Sequence, residues 1–257
     1  MPLQTPARPR TPLTPELALP PPFVAVRLRE LGDAFAHAIS VASEQGAGTL
    51  VYVGRFDLAE FAVVLEPEEP LGLARRVFYA GMTGLADALA AHAQPETSVT
   101  IDWPDAVAVN QGVVGGGRLA WPQGIKEDET PPWLVFGGMV RTVSMTGVEP
   151  GLNPLVTALE EEGFTDVLSS QVVESFARHF MLAVDSWKES GFAAVAKTYL
   201  ARLPAEKGLR RDIDDNGDLL LRRNVVNLGK VEVERQSLLA RLNKPSWFDP
   251  VAKGPRT

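Results

Sequence analysis

Apolar positions recur along the chain at two spacings, and the change from one to the other falls at glycines and prolines. FVAV, from Phe23, is a short run of strand type. In the following LRELGDAFAHAISVASEQG, residues Leu31, Phe35, Ala38 and Val41 or Ile39 fall at helical spacing, and Gly46 stops the pattern. GTLVYV and EFAVVL are β-branched apolar runs, predicting two strands with GRFDLA between them. PLGLARRVFYAGMTGLADALAAHA then predicts a helix whose inner face carries Leu73, Val77, Ala80, Leu85 and Leu89. His92 stands near its end, where a cation complements the helix dipole.

SVTIDW alternates, with Val99, Ile101 and Trp103 on one face and Thr100 and Asp102 on the other. Pro104 interrupts it, VAV resumes, and Asn110-Gln111-Gly112 turns the chain into VVGGGRLAW. An acidic loop around GIKEDETPP leads to a further long strand, WLVFGGMVRTVSM. Two helices follow, one with the stripe Val173, Phe176, Phe180, Val184 and Trp187, the other with Phe192, Val195, Tyr199 and Leu203. DIDDNGDLLLRR carries a hairpin signature at Asn216-Gly217, and LGKVEVE adds a strand. The pattern divides the chain into a proline-rich tail (1–22, with eight prolines), a mixed α/β body (23–204) and a small β appendix (205–257). The tail suits a polyproline-II-like or disordered segment.

Composition narrows the chemistry. A net charge of −7 argues against general nucleic-acid binding, which rests on basic surface. No apolar run is long enough to span a membrane. With no secretory leader at the N-terminus, a cytoplasmic location is expected. The absence of cysteine removes disulfides, thiolate-ligated zinc and a thiol nucleophile.

Several local signals have structural explanations. Asp212, Asp214, Asn216 and Gly217 fit the first half of a calcium loop, but the position that needs a bidentate glutamate is Arg223, and a solvated hairpin turn is the better reading. His37 and His179 have no second ligand at metal spacing, so no metal site is expected. Asp102 and Asp105 are candidates for an acid/base pair, against the commoner capping of a turn. Gly115, Gly116 and Gly117 let backbone approach something closely, either a ligand or a neighbouring segment of the core.

The order of elements and three motifs resemble the biotin and lipoate protein ligases. WPDAVAVNQGVVGG is similar to the family's Lys-Trp-Pro-Asn-Asp strand, turn and glycine pair. LVFGGMVRTV resembles its Gly-x-Gly-Ile-Asn strand, and VVESFARHFMLAVDSWKESGFAAVAKTYLARL its closing helices. DIDDNGDLLL is similar to the hairpin of the small SH3-like domain that biotin ligases carry at the C-terminus. The resemblance covers about residues 23–235 and implies an α/β (α+β) fold, a mixed sheet flanked by helices with a small C-terminal β domain.

It also implies a chemistry. Such enzymes join biotin, lipoate or a related small-molecule acid to ATP, with magnesium, and pass the acyl group from its adenylate to a lysine of a biotinyl or lipoyl carrier domain. Carried over by motif, the ligand-binding candidates are Arg55, Trp103, Pro104, Asp105, Gly115, Gly116, Gly117 and Arg141. The chain departs from the family pattern at its cations. The lysine before Trp-Pro is Asp102, the Asn-Asp after it is Asp105-Ala106, and the lysine of the next turn falls at Val113. The Gly/Arg-rich loop is reduced to Gly54-Arg55-Phe56-Asp57, and the asparagine of the glycine strand falls at Arg141.

Three readings follow. One is a diverged protein that binds an acyl ligand or its carrier domain with adenylation impaired. Another is an active ATP-dependent ligase using Arg55 or Arg141 in place of the lysines, and a third is a non-catalytic structural or regulatory partner. A pocket lined by Trp103, the glycine run and an arginine favours the first two, and a pocket filled by the chain's own side chains favours the third. Exposed sheet edges are compatible with a homodimer.

Overall fold

The computed structural model describes residues 17–145, 155–225 and 230–256. Residues 1–16, most of the proline-rich tail, lie outside them. In chain order the body comprises β1 (Val24–Leu28), α1 (Ala34–Gln45), β2 (Thr49–Val53), β3 (Leu58–Leu65), α2 (Leu71–Ala74), α3 (Val77–Ala90), β4 (Val99–Asp102), β5 (Ala106–Val109), β6 (Gly112–Ala120), β7 (Leu134–Arg141), a 3₁₀ turn (Leu159–Glu162), α4 (Ser169–Ser190) and α5 (Phe192–Ala201). After it come β8 (Leu209–Ile213), β9 (Leu219–Val225), β10 (Lys230–Gln236), α6 (Leu238–Leu242), β11 (Phe248–Asp249) and β12 (Gly254–Pro255).

The body is one seven-stranded sheet in the order β1-β2-β3-β7-β6-β5-β4. Within this sheet β1 pairs with β2 in parallel and the other neighbouring strands pair antiparallel. The β5–β6 hairpin turns through Asn110 and Gln111, both at positive φ (48° and 76°), as a two-residue turn of type I′ requires. The expected mixed sheet flanked by helices is therefore present, with a three-stranded sheet, β10-β9-β8, beyond it.

Each face of the sheet is buried differently. One face packs on α3, α4 and α5, where Phe136, Phe176 and Phe180 form a near-parallel stack with interplanar angles of 8° and 12°. The predicted stripes of α4 and α5 supply Val173, Phe176, Phe180, Val195 and Tyr199 to this core. On the other face α1 covers only the β2-β3-β7 end, packing Ala34, Ala38 and Ala42 against Val51, Val53, Ala62, Val64 and Val135. Small side chains one turn apart let this helix lie close to the sheet.

Two helix boundaries differ from the sequence reading. The first helix starts after Asp33, whose carboxylate accepts from the Ala36 N–H at 2.8 Å, so Leu31 falls outside it and is fully exposed. The second predicted helix breaks at Arg75-Arg76 into α2 and α3. There Arg75 pairs with Glu127, while the Arg76 guanidinium lies 4.6 Å from the Phe192 ring. Both arginines are thus held by tertiary partners that periodicity does not register.

The β8–β9 hairpin is docked on the body. Arg76 donates to the Asp215 carbonyl at 3.0 Å and the Tyr79 hydroxyl to the Gly217 carbonyl at 2.6 Å. The Asp214 carboxylate accepts from the Asn216 and Asp218 N–H groups and pairs with Arg235, which accounts for the acidic run as a turn. Beyond α6 the chain returns to the large sheet, and Trp247 buries itself against Leu58, Ala106 and Met139. No described helix is long and apolar enough to cross a membrane.

Candidate functional site

Strand alternation places Leu58 and Glu60 of β3, Gly116 and Arg118 of β6, and Gly137, Met139 and Arg141 of β7 on the face that α1 leaves partly uncovered. The N-terminus of α1 borders this area on one side. Residues 246–256 border it on the other.

Four of the predicted site residues meet that C-terminal segment. Asp105 is buried, and its carboxylate accepts from the Ser246 N–H at 2.8 Å and the Ser246 hydroxyl at 2.6 Å. Burial pushes its pKa up, against the opposing pull of those two donors. Gly116 lies beneath the Trp247 indole. A Cβ there would stand 2.5 Å from the indole Cδ1 and Nε1 and would overlap the Asp105 carbonyl oxygen. The Gly117 carbonyl accepts from the Trp247 Nε1–H at 3.1 Å. Arg141 donates to the carbonyls of Pro255 and Arg256 at 2.8 and 3.1 Å.

The other four are placed elsewhere. Gly115 lies tight against the backbone of Met139 on β7, as strand pairing at a bulge demands. Trp103 and Pro104, joined by a cis peptide bond, serve the helical face. Trp103 Nε1–H donates to the Tyr79 hydroxyl at 3.2 Å, and the Pro104 carbonyl accepts from Tyr199 at 2.9 Å. Arg55 lines a different cavity of about 340 Å³, with Leu17, Tyr52, Phe56, Ser169 and Val173. It makes a two-pronged pair with Asp57, at 2.8 and 2.6 Å, and that hydrogen bonding raises the arginine's pKa and lowers the aspartate's.

Two charged residues that motif comparison passes over sit at the centre of the face. Glu60 is buried and its Oε1 accepts from the Ala34 N–H at 2.8 Å. Desolvation raises its pKa despite that bond. Arg118 is half-buried and lies against two phenyl rings, those of Phe35 and Phe248, and desolvation lowers its pKa. The signal for Arg118 was in the sequence, two positions beyond Gly116 and so on the same strand face. No signal marked Phe248 as its neighbour, because the C-terminal segment has no periodicity to read. Among the described residues, no group of three or more His, Asp or Glu side chains is arranged to hold a metal.

Comparison with known proteins agrees with this architecture. The sequence model of the biotin/lipoate A/B protein ligase family matches residues 19–201. A comparison with curated protein sequences found no match. Among solved structures, a biotin protein ligase-like protein of unknown function from Silicibacter sp. TM1040 is similar at 27% identity and a TM-score of 0.71, covering 85% of this chain and 96% of its own. The biotin protein ligase of Aquifex aeolicus shares the fold at 14% identity and a TM-score of 0.61, covering 83% of this chain and 100% of its own. That of Leishmania major, solved with biotinyl-5-AMP, does so at 14% identity and 0.52, covering 83% and 99%. The family match spans well over half of the chain, and the solved structures share its fold over most of its length; the chain belongs to the biotin/lipoate A/B protein ligase family.

Proposed function

We propose that this protein is a diverged family member that binds a biotin- or lipoyl-like carboxylic acid, or the carrier domain bearing one, and that it adenylates such an acid poorly or not at all. The observation that carries this reading is the engagement of both candidate replacement cations. Arg55 is paired with Asp57, and Arg141 donates to the carbonyls of Pro255 and Arg256. Adenylation gathers a carboxylate and a polyphosphate in one place, and the accumulating negative charge must be met by cations and N–H groups. A family lysine replaced by Asp102 adds repulsion where attraction is needed, on the order of 4 kcal/mol for each unit-charge contact at ~4 Å and an effective dielectric of ~20. Retaining even ~3 kcal/mol of such a loss in the transition state slows the reaction by more than about a hundredfold.

Biotin and ATP enter this reading by kinship. The Aquifex aeolicus enzyme has been solved with biotin and ATP, and the Leishmania major enzyme with biotinyl-5-AMP. The placement of Trp247 on Gly116 favours a second reading, a non-catalytic structural or regulatory partner whose acyl site is filled by its own chain.

The test is acid-dependent ATP–pyrophosphate exchange with biotin, lipoate and octanoate, run beside direct binding of the same three acids. Binding of one acid without exchange is the expected result. Exchange that disappears in Arg55→Ala or Arg141→Ala would establish an active ligase with a relocated cation. Neither binding nor exchange would leave the structural or regulatory reading.

A further inference from the structure

Arg118 is the one charged group on the uncovered face whose donors are not used within the described chain. Its guanidinium carbon lies 4.4 Å from the centre of the Phe35 ring and 4.1 Å from that of Phe248. Rings at these distances attract the cation and hold it in place, and the N–H donors of a guanidinium point outward in its own plane. No hydrogen bond or ion pair joins Arg118 to another described residue. The two nearby carboxylates are occupied: Asp33 caps α1 through the Ala36 N–H, and Glu60 accepts from the Ala34 N–H.

Both rings are positioned by the fold. Phe35 seats its ring directly on Gly137, the residue paired with Arg118 across the β6–β7 ladder. Phe248 follows Trp247, which is itself fixed by the Gly117 carbonyl, and the Arg256 N–H returns to the Trp247 carbonyl at 2.8 Å. A guanidinium held by two ring contacts, with its N–H groups unbonded within the described chain, is matched by a planar acceptor with two oxygens. The charge around it selects further. With Asp33 and Glu60 close by, a monoanion suits the site better than a phosphate dianion.

We propose that Arg118, held against the rings of Phe35 and Phe248, receives the carboxylate of the bound acid. This rests on the acid-binding reading above and names the residue that recognises the acid. The C-terminal segment contributes Phe248 and so forms one wall of the site as well as covering it.

The experiment is nuclear magnetic resonance of the arginine Nε–H signals of the full chain, with the Arg118 signal identified by its absence in Arg118→Lys. Benzoate and inorganic phosphate are titrated separately. The expected result is a saturable shift of the Arg118 signal with benzoate, at concentrations at least about tenfold lower than any shift with phosphate. In Phe248→Ala the benzoate response weakens, because one ring contact is lost. A shift with phosphate in preference to benzoate overturns the carboxylate assignment, and no shift with either overturns the proposal. Binding of biotin, lipoate or octanoate with the Arg118 signal unmoved would sink this inference while leaving the acid-binding reading standing. A benzoate shift without binding of any of the three would do the reverse.

Discussion

Trp247 and Gly117 are joined by a hydrogen bond of 3.1 Å from indole to carbonyl, across 130 positions of sequence, while the same indole lies on Gly116. The bare backbone at Gly116 is thus matched by a side chain of the protein itself.

The first prediction concerns which glycine matters. At Gly116 an added Cβ meets the Asp105 carbonyl and the indole, so either backbone or Trp247 must move. At Gly117 the nearest atom is the sulfur of Met82, at 2.6 Å, which a flexible side chain can withdraw, although the Phe136 ring is also near at 3.0 Å. Gly116→Ala is expected to destabilise the protein by about 3 kcal/mol and Gly117→Ala by about 1–2 kcal/mol. Urea unfolding of the two variants checks the order, and equal losses would count against it.

Removing the indole itself is expected to cost more. Trp247 is 2% exposed and packs on Leu58, Ala106 and Met139. Trp247→Ala should lose about 3–5 kcal/mol, from the cavity left behind and the Gly117 carbonyl left without its donor. A loss below about 1 kcal/mol, read from thermal or urea unfolding, would mean that the segment is not seated as described.

Surface ion pairing predicts a contrast. The Arg55–Asp57 pair is partly exposed and local in sequence, with side-chain exposures of 31% and 17%. Arg55→Ala should therefore change stability by no more than about 1 kcal/mol. A larger loss would assign Arg55 a structural role beyond the pair.

Stability should also depend on pH through Glu60. Its pKa is raised in the folded protein by desolvation, so the folded chain holds that proton more tightly than the unfolded chain does. The associated stability is present below the ordinary glutamate range and is lost as pH rises through the elevated value. Asp33 adds to the shift, and the charges of Arg55 and Arg118 oppose it. Glu60→Gln keeps an acceptor for Ala34 and removes the ionisation. Relative to the parent protein, the variant should gain stability progressively as pH rises from about 4 to about 8. Parallel curves in urea titrations across that range would exclude the effect.

Much of this fold was legible before the structure. β-branched apolar runs marked β2 and β3, alternation marked β4, and the stripes from Val173 to Leu203 marked two helices that bury Phe176, Phe180 and Tyr199. Their spacing is a direct image of burial. The start of α1 was misread because Leu31 continues the apolar rhythm, whereas the Asp33 cap decides where the helix begins. The site was only half legible. Motif comparison named Asp105, Gly116, Gly117 and Arg141, which the structure brings to the C-terminal segment, together with Trp103 and Pro104, whose polar atoms bond to Tyr79 and Tyr199 on the opposite side of the sheet. Phe35, Arg118 and Phe248 come together from three distant stretches, and no local pattern encodes such a meeting.

That distance bears on how the protein is made. All seven strands of the large sheet and α1 precede residue 142, and more than a hundred residues separate the end of β7 from Trp247. A chain emerging from the ribosome therefore has its whole sheet translated while Gly116, Met139 and Arg118 still lack their C-terminal cover. Contacts of such long sequence separation close slowly. A newborn chain is thus expected to pass through an open-faced intermediate, with Leu58, Ala106 and Met139 bared beside Gly116, which chaperones can grasp before residues 246–256 fold down over it.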